Sequence, residues 1–136
     1  MRLFLDANVL FSAAKSAGAV RHLLTRLLGT GHEGWIDGFV LAEAQRNLAG
    51  KAPAGMAVLD ELLPQLHQAG TRAPDLALEA ELPVPDKDRP VLAAAIRCQC
   101  QALVTGDRSH FGSLYGRAFH GVTTHSPRSI AEALLG

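Results

Sequence analysis

The sequence predicts an α/β layer fold built around a parallel sheet, and three observations carry that prediction. Leu3-Phe4-Leu5 and Ala102-Leu103-Val104 are short, unbroken apolar runs of the kind found in strands covered on both faces. Between them lie stretches with apolar residues at three- and four-residue spacing, so strand and helix signals alternate. Each of the two runs also ends abruptly on polar residues that include an aspartate, Asp6 and Asp107. In an open parallel sheet, ligands collect at that carboxyl edge.

Composition narrows the class. The chain has 136 residues, enough for one domain with a proper core, and the whole span 1–136 reads as that domain. Apolar residues make up 48% and aromatics 5%, so the core is expected to be Leu, Ala and Val. No apolar run reaches the roughly 20 residues of a spanning helix, and the N-terminus lacks a signal-peptide layout, which places the protein in the cytoplasm. Thirteen basic residues balance thirteen acidic ones, so bulk charge announces neither a nucleic-acid binder nor a membrane-surface protein, while leaving room for a local basic patch. Cys98 and Cys100 are the only cysteines, too few for a zinc site, and read as packed, reduced thiols. The six histidines show no zinc-protease spacing, and no Gly-rich phosphate loop is present.

Taken in order, the opening strand is followed by a helix from Ala7 to about Ala14, broken at Ser16-Ala17-Gly18. A second helix runs from Ala19 to Leu28 on a stripe of Val20, Leu23, Leu24, Leu27 and Leu28, stopped by Gly29-Thr30-Gly31. Glu33 to Ile36 is a short strand, and Asp37-Gly38 turns the chain into a helix carrying Val40, Leu41, Ala44 and Leu48. After a loop over Lys51 to Gly55, the spacing predicts a helix from Met56 to about Gln68, kinked or shortened by Pro64. Pro74 and Asp75 start a short helix through Leu78, and Leu82-Pro83-Val84 is a brief extended piece. Asp86-Lys87-Asp88-Arg89-Pro90 opens an Ala-rich helix from Val91 to Gln99. Ala102 to Thr105 is a strand, Ser109 to Tyr115 a short helix or turn, Val122 to Thr124 a last strand, and Ser126-Pro127 opens the final helix.

The candidate chemistry rests on four acids in separate elements: Asp6, Glu43, Asp88 and Asp107. Each has a plain structural reading. Asp6 and Asp88 suit helix N-caps, with Asp86 competing for the second role, Asp107 suits a turn, and Glu43 can pair with Arg46 at i,i+3. As a set they mean more, because parallel strands aim their ends at one edge. Carboxylates crowded there repel one another unless a cation sits among them. Oxygen donors without thiolate or imidazole suit Mg²⁺ or Mn²⁺, and that chemistry points to phosphodiester hydrolysis.

These residues resemble the PIN domain family. The resemblance rests on Leu5-Asp6-Ala7-Asn8-Val9-Leu10-Phe11-Ser12, Glu43 followed by Leu48, Asp88-Arg89-Pro90-Val91-Leu92, and Leu103-Val104-Thr105-Gly106-Asp107-Arg108, in matching order and spacing. The closing Gly121-Val122-Thr123-Thr124-His125-Ser126-Pro127 is similar to the family's last strand and helix. One departure is Ala7, where many relatives carry Thr. The resemblance implies a three-layer α/β/α sandwich with a mostly parallel sheet, and metal-dependent ribonuclease activity. It implies Asp6, Glu43, Asp88 and Asp107 as the ligands of Mg²⁺ or Mn²⁺, directly or through water, with Asn8, Ser12 and Thr105 as polar neighbours that orient them. It further implies the toxin of a toxin–antitoxin pair, with RNA as substrate, an antitoxin as partner, and a homodimer.

Positive charge for the flanking phosphates is expected from Arg108 and His110 after Asp107, and from Arg46 and Lys51 after Glu43. Tyr115 and Phe111 are expected to pack rather than stack on bases. The stripe Val58, Leu62 and Leu66 is either core or a dimer face, core being the commoner outcome. Two other readings stand beside the nuclease. A haloacid dehalogenase-like phosphatase also begins with an Asp after its first strand, but Asn8 replaces the second Asp of its Asp-x-Asp signature. A catalytically silent domain would bind RNA or a protein through the same edge.

Overall fold

Strand β1 (Arg2–Leu5) is central because Leu3, Phe4 and Leu5 are apolar in succession, and all three are fully enclosed. Burying such side chains stabilises the fold by about 1.5–3 kcal/mol each. The computed structural model describes residues 1–70, 75–107 and 114–136. Among these, β1 is joined by β2 (Glu33–Asp37), β3 (His67–Ala69), β4 (Ala102–Val104), β5 (Ala118–Phe119) and β6 (Val122–His125), in the order β3-β2-β1-β4-β6-β5. The pairs β1–β2, β2–β3, β1–β4 and β4–β6 are parallel, and only the β5–β6 hairpin is antiparallel.

The chain lays β1, β2 and β3 outward in one direction, then returns to place β4 on the other side of β1. The strand order therefore reverses between β1 and β4, and a crevice opens beyond their carboxyl ends. Register ties the two strands closely, with Phe4 opposite Leu103 and Leu5 opposite Val104.

Helices cover the sheet in two groups. Helix α1 (Ala7–Lys15) packs against α2 (Ala19–Gly29), α3 (Gly38–Lys51) and α4 (Gly55–Leu62). The second group pairs α5 (Leu76–Glu81) with α6 (Arg89–Arg97). Helix α7 (Pro127–Leu135) returns against α2, its start held by a reciprocal capping box between Ser126 and Ser129. This is the predicted sandwich with a mostly parallel sheet.

Several local expectations are corrected. The helix expected to run from Met56 to Gln68 ends at Leu62, and Pro64 lies in a 3-10 turn over Leu63–Gln65. His67 to Ala69 then forms the edge strand β3, which has no apolar alternation of its own and takes its extended shape from pairing with β2. Strand β5 likewise has no signal beyond the hairpin partner that holds it. The Leu82–Val84 piece is extended at Leu82 as expected, joins no described strand, and is anchored by burying Leu82 and Val84. The Ala-rich helix begins at Arg89 and stops at Arg97, because Gln99 adopts the left-handed φ of 55° that ends it. The expected Pro74 helix start and most of the Ser109–Tyr115 segment lie outside the described residues.

The Val58, Leu62 and Leu66 stripe packs into the core. Cys98 and Cys100 are free thiols, and burial pushes that of Cys100 up to about 12, leaving it chemically quiet. No helix among the described residues is long and apolar enough to cross a membrane.

Candidate active site

The reversal between β1 and β4 brings their trailing residues face to face. Asp6 directly follows β1 and caps α1: its Oδ1 accepts the Ala7 amide hydrogen at 2.7 Å. Its other oxygen, Oδ2, accepts from the Thr105 hydroxyl at 2.8 Å and from the Asn8 side-chain amide at 3.3 Å. Both oxygens of the Asp6 carboxylate are thus held in place by donors of the chain itself.

Asn8 uses both ends of its amide. Its Nδ2 also donates to Thr105 Oγ1 at 3.2 Å, and its Oδ1 accepts the Gly106 backbone amide at 2.9 Å, pinning the end of β4 to the start of α1. Thr105, fully buried, accepts in turn from the Asp107 backbone amide at 3.2 Å, and its carbonyl accepts from the Tyr115 hydroxyl at 3.0 Å. An aspartate at position 8 would present two acceptors where two donations are now made, and would repel Asp6. That geometry leaves the dehalogenase-like signature without support.

Over this network opens a cavity of about 250 Å³, lined by Asp6, Asn8, Glu43, Asn47, Asp88 and Asp107, with Phe39, Lys87 and Val91 around them. The four predicted acids reach it from the end of β1, from α3, from the 3-10 turn Asp86–Asp88 that leads into α6, and from beyond the end of β4. Asp88 holds the N-cap position of α6 without a side-chain capping bond, and its Oδ2 is closed off from solvent. Asp86, the competing acid, turns outward and pairs with Arg89 at 3.1 Å.

Burial pushes the Asp6 carboxyl above its ordinary value; the hydrogen bonds from Thr105 and Ala7 pull it down, and the neighbouring Glu43 and Asp88 charges add to the rise. Burial is the main cause, and the two neighbouring acids add a smaller push in the same direction. Among the described residues, no three acidic, histidine or cysteine side chains form a ready-made inner shell for a metal ion. The lining donors are carboxylate and amide oxygens, with no thiolate or imidazole. A hard cation that keeps several of its waters, as Mg²⁺ does, fits such a spread arrangement better than a cation needing a closed protein cage.

Other expected residues sit elsewhere. Thr105 lies behind Asp6 rather than on the cavity wall, and Ser12, one turn beyond Asn8 on α1, is not among the lining residues. Arg46 and Lys51 do not line the cavity either, and the Lys51 ammonium lies 5.9 Å from the centre of the Phe11 ring. Arg108, His110 and Phe111 fall outside the described residues. Sequence reasoning misses Asn47 and Phe39, although each stands four residues from Glu43, the spacing that puts all three on one helix face. It also misses Lys87, which reads as part of a helix start.

Fold and site together define an α/β protein of doubly wound type with an acid-lined crevice at the reversal of its strand order. The chain belongs to the PIN domain family, whose model matches residues 2–109. A search of curated protein sequences finds no match. Among solved structures, the chain is similar to VapBC2 from Rickettsia felis, a complex bound to a DNA fragment from its promoter, with a TM-score of 0.69 and 19% identity over 93% of this chain and 98% of that one. It is similar to FitAcB from Neisseria gonorrhoeae, with a TM-score of 0.63 and 18% identity over 93% and 98% of the two chains. It is also similar to VapC20 from Mycobacterium tuberculosis, described as a toxin cleaving the sarcin-ricin loop, with a TM-score of 0.55 and 18% identity over 82% and 93%.

Proposed function

We propose that this chain is a Mg²⁺- or Mn²⁺-dependent endoribonuclease that hydrolyses RNA phosphodiester bonds at the cavity lined by Asp6, Glu43, Asp88 and Asp107, and that it is the toxin of a toxin–antitoxin pair. The observation that carries the reading is the convergence of four carboxylates from four separate elements on one crevice at the strand-order reversal. A divalent ion held there would supply an activated water at neutral pH and offset the charge that builds on the phosphate.

The chain's own residues divide the remaining work. Thr105 and Asn8 hold the Asp6 carboxylate in one orientation by donating to Oδ2, and the Ala7 amide fixes Oδ1. Asn8 keeps the Asp107 loop against α1 through the Gly106 amide. Lys87 is the cationic side chain on the described cavity wall, and a flanking phosphate is the natural partner for its ammonium. Arg108 stands next to Asp107 in sequence and is assigned the same kind of role. Membership of the PIN family, with the VapC and FitAcB likenesses, supports the toxin reading and an antitoxin partner, and pairing with a second copy is proposed alongside them.

The test is cleavage of a mixed RNA pool with Mg²⁺ or Mn²⁺, with and without chelator, by the wild type and Asp6→Asn. Metal-dependent cleavage by the wild type alone is the expected result. Equal cleavage by both proteins would remove the cavity as the site of cutting, and no cleavage by either would leave a domain that binds without cutting. Millimolar metal should also raise the thermal midpoint of the wild type, by linkage, and not that of Asp6→Asn.

A further inference from the structure

Phe39 is an apolar ring where a nuclease cavity has no evident use for one. It opens α3 one turn before Glu43, remains 47% exposed, and lines the same cavity as the four acids. The exposed large apolar side chains of the described residues are Met1, Phe39 and Leu76, and Phe39 is the aromatic among them and the one beside the carboxylates. One turn beyond Glu43, Asn47 lines the cavity too, so α3 presents a ring, a carboxylate and an amide in file along one face. Successive members of the file are about 6 Å apart along the helix axis, on the order of one extended nucleotide.

We propose that this face of α3 reads the RNA strand, with Phe39 stacking on the nucleobase next to the scissile phosphate. The inference rests on the nuclease reading of the cavity and names the group that contacts the substrate's base. Glu43 belongs to the phosphate-cleaving set, and the strand that passes it must lay a neighbouring base within one helical turn, where the Phe39 ring is open to it. Single-stranded RNA splays its bases onto such rings, and stacking tolerates any base because each has a π-face. Asn47, on the far side of Glu43, offers an amide with both a donor and an acceptor to the next nucleotide. Phe39 is a substrate-binding residue with no part in the bond-breaking step, so it acts on substrate affinity rather than turnover.

The test uses a fluorescein-labelled, mixed-sequence oligoribonucleotide and an abasic ribose-phosphate oligomer of equal length. Both are titrated in the Asp6→Asn background, where strands stay whole, against the protein with Phe39 intact and its Phe39→Ala, Phe39→Leu and Phe39→Trp variants. Phe39→Ala and Phe39→Leu should weaken binding of the base-bearing strand about ten- to a hundredfold, while Phe39→Trp retains it. All four proteins should bind the abasic strand alike. In the Asp6-containing protein, Phe39→Ala should raise KM with kcat nearly unchanged and leave the metal-induced thermal shift intact. Equal binding of the base-bearing strand with and without the Phe39→Ala change, no detectable RNA binding, or equal loss on the abasic strand would each overturn the inference. A wild type that binds bases through Phe39 without cutting would sink the nuclease reading and the placement beside a scissile phosphate, while base stacking by Phe39 itself would stand.

Discussion

Thr105 Oγ1 lies 2.8 Å from Asp6 Oδ2 and donates to it across 99 positions of sequence. The same hydroxyl accepts from the Asn8 amide and from the Asp107 backbone, so its one donor and both acceptor sites are in use. Three residues that follow two adjacent strands are thereby locked together through a single oxygen.

Replacing Thr105 with Val keeps the shape and removes all three bonds. The Asp6 carboxyl then loses the hydrogen bond that most favours its charged form and should titrate higher still. The expected outcome is a ten- to hundredfold loss of metal affinity, a typical cost of removing a group that orients a ligand, with about 1–3 kcal/mol lost in stability. A Mg²⁺ titration of cleavage, with urea unfolding alongside, checks both, and Thr105→Ser should restore most of the affinity.

Asp6 gives a stability prediction of definite sign. An unfolded aspartate titrates near 3.8 and the folded Asp6 above it, so the folded state binds the proton more tightly. The stability associated with Asp6 is therefore complete below 3.8 and is lost as pH rises through the folded value. In metal-free buffer at neutral pH, Asp6→Asn should be as stable as the wild type or more so, even though activity is gone. Urea midpoints at acidic and neutral pH test this: the wild type should lose more stability than the variant over that interval.

His125 has the opposite slope. Burial holds its imidazole below the ordinary 6.5, with Nδ1 2.9 Å from the Ser129 hydroxyl. The folded state thus disfavours the charged ring. Its contribution is present above 6.5 and is lost as pH falls through the folded value. Thermal midpoints of the wild type should drop over that acidic range by more than those of His125→Gln.

Gly55 opens α4 where that helix meets α1. A Cβ there would stand 2.9 Å from the Ala14 carbonyl oxygen and 2.8 Å from a Leu48 methyl carbon. The leucine can rotate; the carbonyl belongs to a helix backbone and cannot yield alone. Gly55→Ala should destabilise by about 1–3 kcal/mol, read from denaturant midpoints, and leave metal-dependent cleavage at permissive temperature unchanged.

Much of this architecture is legible because it follows from local pattern. Leu3-Phe4-Leu5 and Ala102-Leu103-Val104 announce buried strands through unbroken apolarity, and the stripe of α2 announces a helix. Strands β3 and β5 are not legible, since His67-Gln68-Ala69 and Ala118-Phe119 carry no strand pattern and are extended only because a neighbour hydrogen-bonds to them. In the candidate site, Asp6 and Asp107 stand out because they follow strong strands and Asp88 because it opens a helix, whereas Glu43, inside α3, gains its meaning only from the set. Lys87, Asn47 and Phe39 do not, because a lysine in a helix start or a phenylalanine in an apolar helix looks ordinary until the wall it faces is known.

The amino-acid order by itself determined the layer class, the alternation of elements and the four acids worth watching, because hydrophobic periodicity and element boundaries are properties of short stretches. Only the tertiary structure decided that β4 returns beside β1, that Asp88 rather than Asp86 faces the cavity, and that an exposed phenyl ring borders the carboxylates. Those outcomes depend on which strand pairs with which across widely separated parts of the chain. That choice is made by burying the whole core at once, and no local stretch records it.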